Sequence, residues 1–183
     1  MATTAGDWID QVLHFWFTEL KPEAWFTRDE RVDAMIRERF GELHERLRSV
    51  RPPDLTTPSA CLAAVIVFDQ FSRNMFRGSP RSYASDALAL SIARHAIAAG
   101  FDRNLDDQQR VFLYMPFQHS ENVATQARSV ELFTELGDAE TLDYARQHQA
   151  VIEKFGRFPH RNATLGRAST EAEQAFMRTH EGF

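Results

Sequence analysis

The chain has 183 residues, of which 43% are hydrophobic and 26% are charged. These proportions are those of a globular protein and exclude a disordered, collagen-like or low-complexity chain. The 21 lysines and arginines are outnumbered by 26 aspartates and glutamates, and the net charge of -5 argues against general affinity for nucleic acid or for an anionic membrane surface. The length predicts a single domain, residues 1–183.

The single cysteine and the apolar segments indicate in which cellular compartment the protein is located. Cys61 has no second cysteine with which to form a disulfide, and a zinc site built from cysteines is excluded. It lies in the run 60–68, the longest apolar stretch, which is far shorter than the roughly 20 residues of a membrane span. Asp7 and Asp10 stand where a secretory signal would carry basic residues. A cytoplasmic protein without membrane association is therefore predicted.

Apolar residues recur at helical spacing along almost the entire chain, whereas the strict alternation typical of strands is hard to find. The predicted fold class is therefore all-α, with about seven to eight helices. The first helix is predicted over about residues 8–19 and ends at Lys21-Pro22. Thr27 and Glu30 have the spacing of a capping box for a second helix over about residues 28–48.

A third helix begins at Pro58, after a threonine as its N-cap, and runs to about residue 71. Because it is apolar on all sides over residues 60–68, it should be the central and most buried helix. A fourth helix is predicted from residue 85 or 86 to Gly100. A fifth begins at Asp106, with a glutamine three residues later as its box partner, and Pro116 kinks or ends it.

The sixth and seventh helices, about residues 120–136 and 139–155, are separated only by Gly137 and Asp138. So short a connection requires that the two helices fold back on each other as an antiparallel hairpin. A short last helix begins at Thr170, which has a glutamate three residues later, as in a capping box.

The most informative polar segment, residues 69–78, directly continues the apolar third helix. If the helix persists, Asp69, Arg73 and Arg77 fall four residues apart on one side, so that one carboxylate lies beside two guanidinium groups. A buried charge is costly unless it is paired. We therefore expect Asp69 to hold one arginine and to leave the other free for an external carboxylate or phosphate.

Two further polar clusters interrupt the apolar pattern. His119 and Glu121 stand just after Pro116, at the start of a helix whose free amide groups attract negative charge. The loop after the hairpin contains Arg157, His160, Arg161 and Asn162. We predict that these two clusters and the segment 69–78 meet in space and form one cleft.

No metal or cofactor site is predicted. The other histidines, such as His14, His44 and His148, are scattered without the helical spacing of ligand pairs. Glycine-rich phosphate loops, the Gly-x-Ser-x-Gly nucleophile motif and the His-Glu-x-x-His zinc motif do not occur in the sequence.

Several interpretations of the polar clusters stay open. In the first, the charged residues only tie helix ends and loop carbonyls together, because ion-pair networks occupy cores without any ligand. The second, which we favour, is the binding of a small anion or an acidic peptide. The predicted contacts are Asp69, Arg73, Asn74, Arg77, His119, Arg157, His160, Arg161 and Asn162. Of these, the arginines would contact the anion, the aspartate and Asn74 would orient them, and the histidines would donate at the rim.

The third interpretation is a small hydrolase or isomerase-like enzyme. His119 or His160 would serve as its general acid or base, with Glu121 and Asp69 as further candidates for proton transfer. A helical scaffold that forms homo-oligomers is the remaining alternative.

The polar segments also carry a family resemblance. Three motifs carry it: Asp69-Gln70-Phe71-x-Arg73-Asn74-x-Phe76-Arg77-Gly78, Phe117-x-His119-Ser120-Glu121 and Arg157-Phe158-Pro159-His160-Arg161-Asn162. They follow two N-terminal motifs, Val12-Leu13-x-Phe15-Trp16-Phe17 and Trp25-Phe26. Over about residues 8–176 the chain resembles the bacterial family catalogued as domain of unknown function 924. The resemblance implies a tetratricopeptide-like, right-handed α–α superhelix and implies no activity. Ser72 stands where the family usually has proline, and Gln118 where methionine or glutamate is expected.

Overall fold

A computed structural model of the chain describes residues 7–180 and residue 182, and within them every regular element is a helix. The α-helices are α1 (Asp7–His14), α2 (Glu30–Leu47), α3 (Pro58–Val65), α4 (Ser72–Met75), α5 (Asp86–Ala98), α6 (Asp107–Gln118), α7 (Val123–Leu136), α8 (Ala139–Phe155) and α9 (Glu171–Met177). A π-helical segment, Phe15–Glu19, extends α1, and a second, Ile66–Phe71, joins α3 to α4. The all-α prediction is confirmed.

The predicted capping boxes are present at the N-termini of two helices, α6 and α9, but not at the N-terminus of α2. Asp106 and Gln109 cap α6 as predicted, and Thr170 forms the equivalent box at α9. At α2 the N-cap is Asp29, which accepts a hydrogen bond from the amide of Arg31 at 2.8 Å. The predicted box with Thr27 is wrong, because its hydroxyl instead donates back to a carbonyl four residues earlier, which closes the preceding turn.

Two other predicted boundaries shift by a few residues. Pro116 does not end α6, which continues to Gln118. The next helix begins at Val123 rather than at residue 120, because the side chain of Asn122 caps it by accepting from the amide of Thr125 at 3.0 Å. The chain therefore turns sharply between α6 and α7, and this turn holds the second predicted polar cluster.

The helix over 58–71 lies at the centre of the molecule, as predicted. Every residue from 60 to 72 is buried, and α3 packs against α1, α5 and α6. Fully burying one leucine, isoleucine or phenylalanine side chain contributes about 1.5–3 kcal/mol, so this helix supplies a large share of the hydrophobic stabilisation. Its polar continuation therefore starts inside the core.

Helices α7 and α8 pack along each other, as expected for a hairpin with a two-residue connection. Gly137 makes the turn with a φ of 82°, in the left-handed region that glycine enters at little cost. Helix α6 packs against both members of the pair. The C-terminal end of α6 and the chain that leaves α8 consequently lie near the polar end of the central helix. No helix among residues 7–180 is long and apolar enough to cross a lipid bilayer.

Candidate functional site

Asp69 and His119, which are 50 positions apart in sequence, form a buried carboxylate–imidazole pair. Asp69 is fully buried in the π-helical segment, and its Oδ1 lies 2.7 Å from Nδ1 of His119. Gln70 donates to the other carboxylate oxygen at 2.6 Å. Because a carboxylate only accepts, Nδ1 carries the proton and Nε2 is left as an acceptor. Among the described residues Nε2 has no hydrogen-bond partner, and 16% of the His119 side chain is exposed.

A second carboxylate, Asp86, is shared by two arginines. Arg73 donates to both of its oxygens, at 3.0 and 3.1 Å, and Arg161 donates to one of them at 3.2 Å. Arg73 also donates to the backbone carbonyl of Asp69 at 2.7 Å. Asp86 is the first residue of α5, where the positive end of the helix dipole favours a negative charge. These ion pairs and the Asp69–His119 pair are connected to one another through shared residues. We call the set the convergent cluster; its members are Asp69, Arg73, Asp86, His119 and Arg161.

Arg161 is the least satisfied member of the convergent cluster. Only 7% of its side chain is exposed, and its guanidinium lies 4.6 Å from the ring centroid of Tyr83 and 4.5 Å from that of Phe158. Its Nε is buried and has no hydrogen-bond partner within residues 7–180. Burial, followed by the positive charge of Arg73, lowers the pKa of Arg161, although a guanidinium stays protonated at neutral pH. A buried cation thus carries a donor that nothing in the described chain satisfies.

Three imidazoles gather beside these charges. The ring of His148, on α8, lies 6.2 Å from that of His119, and His160 is in the same turn as Arg161. Burial lowers the pKa of His148 to about 3 and that of His160 to about 4. Burial and then the charge of Arg73 also lower the pKa of His119, despite the opposing effect of its carboxylate partner. All three rings are therefore neutral at pH 7.

Glu121 and Asn162 hold the surrounding loop in place. Glu121 accepts from the backbone amide of Phe158 at 2.8 Å and from both ends of the Arg167 fork, at 2.7 and 2.9 Å. Asn162 is fully buried, donates to Ser169 and accepts from Arg167. Both residues thereby fix the backbone around Arg161.

Arg77 and Asn74 do not reach the convergent cluster. Helix α4 ends at Met75, and Gly78 adopts a φ of 76°, so the chain turns away before Arg77 can align with Asp69. Both side chains instead bind Asp33 of α2, with Arg77 donating to both carboxylate oxygens at 2.7 and 2.8 Å. The expectation that one carboxylate lies beside both arginines of this segment is therefore wrong.

Arg157 also lies outside the convergent cluster. Its guanidinium donates to both carboxylate oxygens of Glu173 on α9, at 2.7 and 2.9 Å, and to the carbonyl of Ala168 at 2.9 Å. This bidentate pair attaches the last helix to the loop that follows α8.

The comparisons with known proteins agree with this architecture. Residues 12–181 match the family described as "Bacterial protein of unknown function (DUF924)". The chain belongs to this family. A solved structure, that of the protein of unknown function ATU0120 from Agrobacterium tumefaciens, is 35% identical and superposes with a TM-score of 0.89, covering 94% of this chain and 97% of that chain. No curated protein matches the chain.

The three segments that resemble the DUF924 family all contribute to the convergent cluster. They supply Asp69 and Arg73, His119, and Arg161 respectively. Sequence reasoning missed Asp86, which was interpreted only as a helix start, and His148, which lacks ligand spacing. It also missed Tyr83, whose ring lies under two arginines and which no motif marks. Among the described residues, no group of three histidine, cysteine, aspartate or glutamate side chains is arranged to hold a metal ion.

Proposed function

We propose that this DUF924 chain binds a small anion at the convergent cluster, with the guanidinium of Arg161 as its anchor. The observation that carries the proposal is the buried Nε of Arg161, which has no hydrogen-bond partner among the residues that the structure describes. Leaving a buried donor unsatisfied costs about 1–3 kcal/mol, and more for a charged group. An oxyanion that accepts from this fork would remove that cost, because arginine presents its donors in the geometry of carboxylate and phosphate oxygens.

The charges of the cluster restrict the class of anion. The two aspartates and the two arginines cancel, and the imidazoles are neutral, so the site attracts through its open donors rather than through a net positive charge. Neutral His119 presents Nε2 as an acceptor. The ligand should therefore carry a hydrogen-bond donor next to its anionic group, as hydrogen phosphate and α-hydroxy carboxylates do.

The burial of the cluster favours a small ligand over an acidic peptide at this site. The side chains of Arg73, Asp86 and His119 are only 22%, 19% and 16% exposed, which leaves little room for a polypeptide backbone. Arg77 and Arg157 are not part of the proposal, because each already binds both carboxylate oxygens of a structural partner, Asp33 or Glu173, outside the cluster.

Titration calorimetry with inorganic phosphate and with malate tests the proposal. Arg161→Gln removes the charge at similar length, and we expect it to weaken binding at least tenfold, about 1.4 kcal/mol. Arg157→Gln is the matched control, since it makes the same change outside the cluster and should bind like the parent chain. Far-UV circular dichroism verifies that both variants fold. Equal affinity of Arg161→Gln and the parent chain, or no binding of any oxyanion by the parent chain, would refute the proposal.

The Asp69–His119 pair supports a second function, general acid–base catalysis at the same site. A carboxylate that fixes the tautomer of an imidazole and stabilises its protonated form is the usual orienting partner of a catalytic histidine. The described part of the cluster offers no serine or cysteine nucleophile: Ser72 is buried against His44, and burial raises the pKa of Cys61 to about 11. The reaction would therefore be a proton transfer or an attack by water activated at Nε2 of His119.

The Asp69→Asn variant distinguishes catalysis from binding alone. If His119 is a general base, this variant should retain the oxyanion that the parent chain binds but should turn over a phosphomonoester or hydroxy-acid substrate about 10²–10⁴-fold more slowly. His119→Gln should lose turnover to a similar extent. Turnover that is unchanged in both variants would exclude this function.

A further inference from the structure

A surface groove of about 900 Å³, open to solvent along its length, runs between α5 and α7. Its apolar floor includes Leu90 and Ile97 of α5 and Phe117 of α6. Polar groups such as Ser91 and Asn122 alternate with these along the lining. The groove is distinct from the convergent cluster, and none of the five cluster residues lines it.

Among the described residues that line the groove, the only charged ones are two arginines, Arg94 and Arg128. Arg94 donates one guanidinium N–H to the hydroxyl of Thr125 at 3.0 Å and lies 5.9 Å from the ring centroid of Phe117. No carboxylate in the described chain pairs with it, so most of its donors remain available. Arg128 is engaged by Glu131 of its own helix at 2.7 Å. Since α7 also begins in the groove, the positive end of its dipole adds to the potential of Arg94.

The length and openness of the groove favour a peptide. The lining of α5 extends from Ala87 to Ala98, about 16 Å at 1.5 Å per residue, which equals about five residues of extended chain. An acyl chain would leave much of its apolar surface in water in so open a groove, whereas an extended peptide keeps its backbone hydrated there. Alternate side chains of an extended segment point to opposite sides, so apolar residues can reach the floor while acidic residues reach Arg94.

We propose that this groove binds a short extended segment of a partner protein in which acidic and apolar residues alternate. The apolar side chains occupy the floor formed by Leu90, Ile97 and Phe117, and a carboxylate pairs with the fork of Arg94. Ser91 and Asn122 offer hydrogen bonds to the peptide backbone at the edges. The interaction is independent of the anion bound at Arg161.

Fluorescence anisotropy with a labelled peptide of five alternating glutamate and leucine residues tests the proposal on the full chain. We expect saturable binding that weakens with salt, and no binding of the corresponding lysine–leucine peptide. Arg94→Glu should weaken binding at least tenfold. Arg146→Glu, the same reversal at an exposed position on α8, is the matched control and should change affinity less than twofold. Ser91→Trp, which fills the exposed groove without changing its charge, should also block the peptide.

Several outcomes would overturn the proposal. Equal binding by the parent chain and Arg94→Glu would place the peptide elsewhere, and equal binding of the lysine peptide would remove the charge argument. Sedimentation velocity that shows a dimer dissociated by Arg94→Glu would assign the groove to a second copy of the chain. Displacement of the peptide by decanoate at lower concentration than by unlabelled peptide would assign it to an acyl anion. Arg161→Gln should leave peptide binding unchanged, which separates this test from that of the anion site.

Discussion

The Asp69→Asn variant measures how much the convergent cluster contributes to stability. Asp69 is fully buried, and the substitution keeps its volume while removing the charge that faces Arg73 and His119. Removing one partner of a buried ion pair costs about 3–5 kcal/mol. Arg73 keeps its two hydrogen bonds to Asp86, so we expect the lower end, about 3 kcal/mol. For a chain of this size that corresponds to a fall in Tm of about 6–12 °C.

Thermal unfolding followed by circular dichroism gives the shift in Tm, and NMR titration gives the pKa of His119. Burial opposes ionisation of Asp69, but the charge of Arg73 and the hydrogen bond from His119 outweigh it and hold the pKa of Asp69 far below its usual value. Its stabilisation is therefore complete above the unfolded pKa, near 3.8, and is lost only as the pH falls below that value.

Without the carboxylate, burial and Arg73 should lower the pKa of His119 further. The matched control is Asp54→Asn, which removes a carboxylate from an exposed pair with Arg51 and should leave Tm unchanged. A Tm of Asp69→Asn within 2 °C of the parent chain at pH 7, or a higher pKa of His119, would refute the assigned charge states.

Three further predictions follow from the surrounding contacts. Asp33→Ala removes the partner of Arg77 and Asn74, and should lower stability by about 2 kcal/mol in urea unfolding while leaving phosphate affinity unchanged. Because His148 and His160 have pKa values of about 3 and about 4, the unfolded chain binds protons that the folded chain does not. Stability should therefore fall as the pH drops below about 6.5, by at most about 1.4 kcal/mol per pH unit for each histidine, measured by urea unfolding at pH 7, 6 and 5. An anion beside His119 should raise its pKa, so phosphate affinity measured by calorimetry should increase from pH 8 to pH 6.

The helices were predictable because local signals specify them. The apolar period identified all the long helices, and side chains that bond to nearby amides marked starts such as those at Asp106 and Thr170. Local signals failed where two residues competed for the same role. Thr27 and Asp29 both suit an N-cap, and only the packed turn that draws the threonine hydroxyl to a carbonyl decides between them.

The composition of the site was harder to predict, because charge pairing depends on tertiary contacts. The sequence placed Asp69, His119 and Arg161 in the candidate site, and the structure brings them into one cluster. It could not show that Arg77 leaves the helix after Met75 and meets Asp33. Nor could it show that a helix-starting aspartate, Asp86, would bridge two arginines.

The hydrogen-bond partners of the arginines distinguish structural residues from candidate functional residues better than the sequence motifs do. Arg77 and Arg157 each meet one carboxylate with both arms of the fork, and each ties a helix to a loop, which explains them fully as structural residues. Arg73 likewise donates to both oxygens of Asp86 and to the backbone carbonyl of Asp69. In the described part of the chain, Arg161 alone of the four has a buried nitrogen without a hydrogen-bond partner, although pairing it would stabilise the fold. The unpartnered donor of Arg161 is therefore the observation on which the proposed anion site rests.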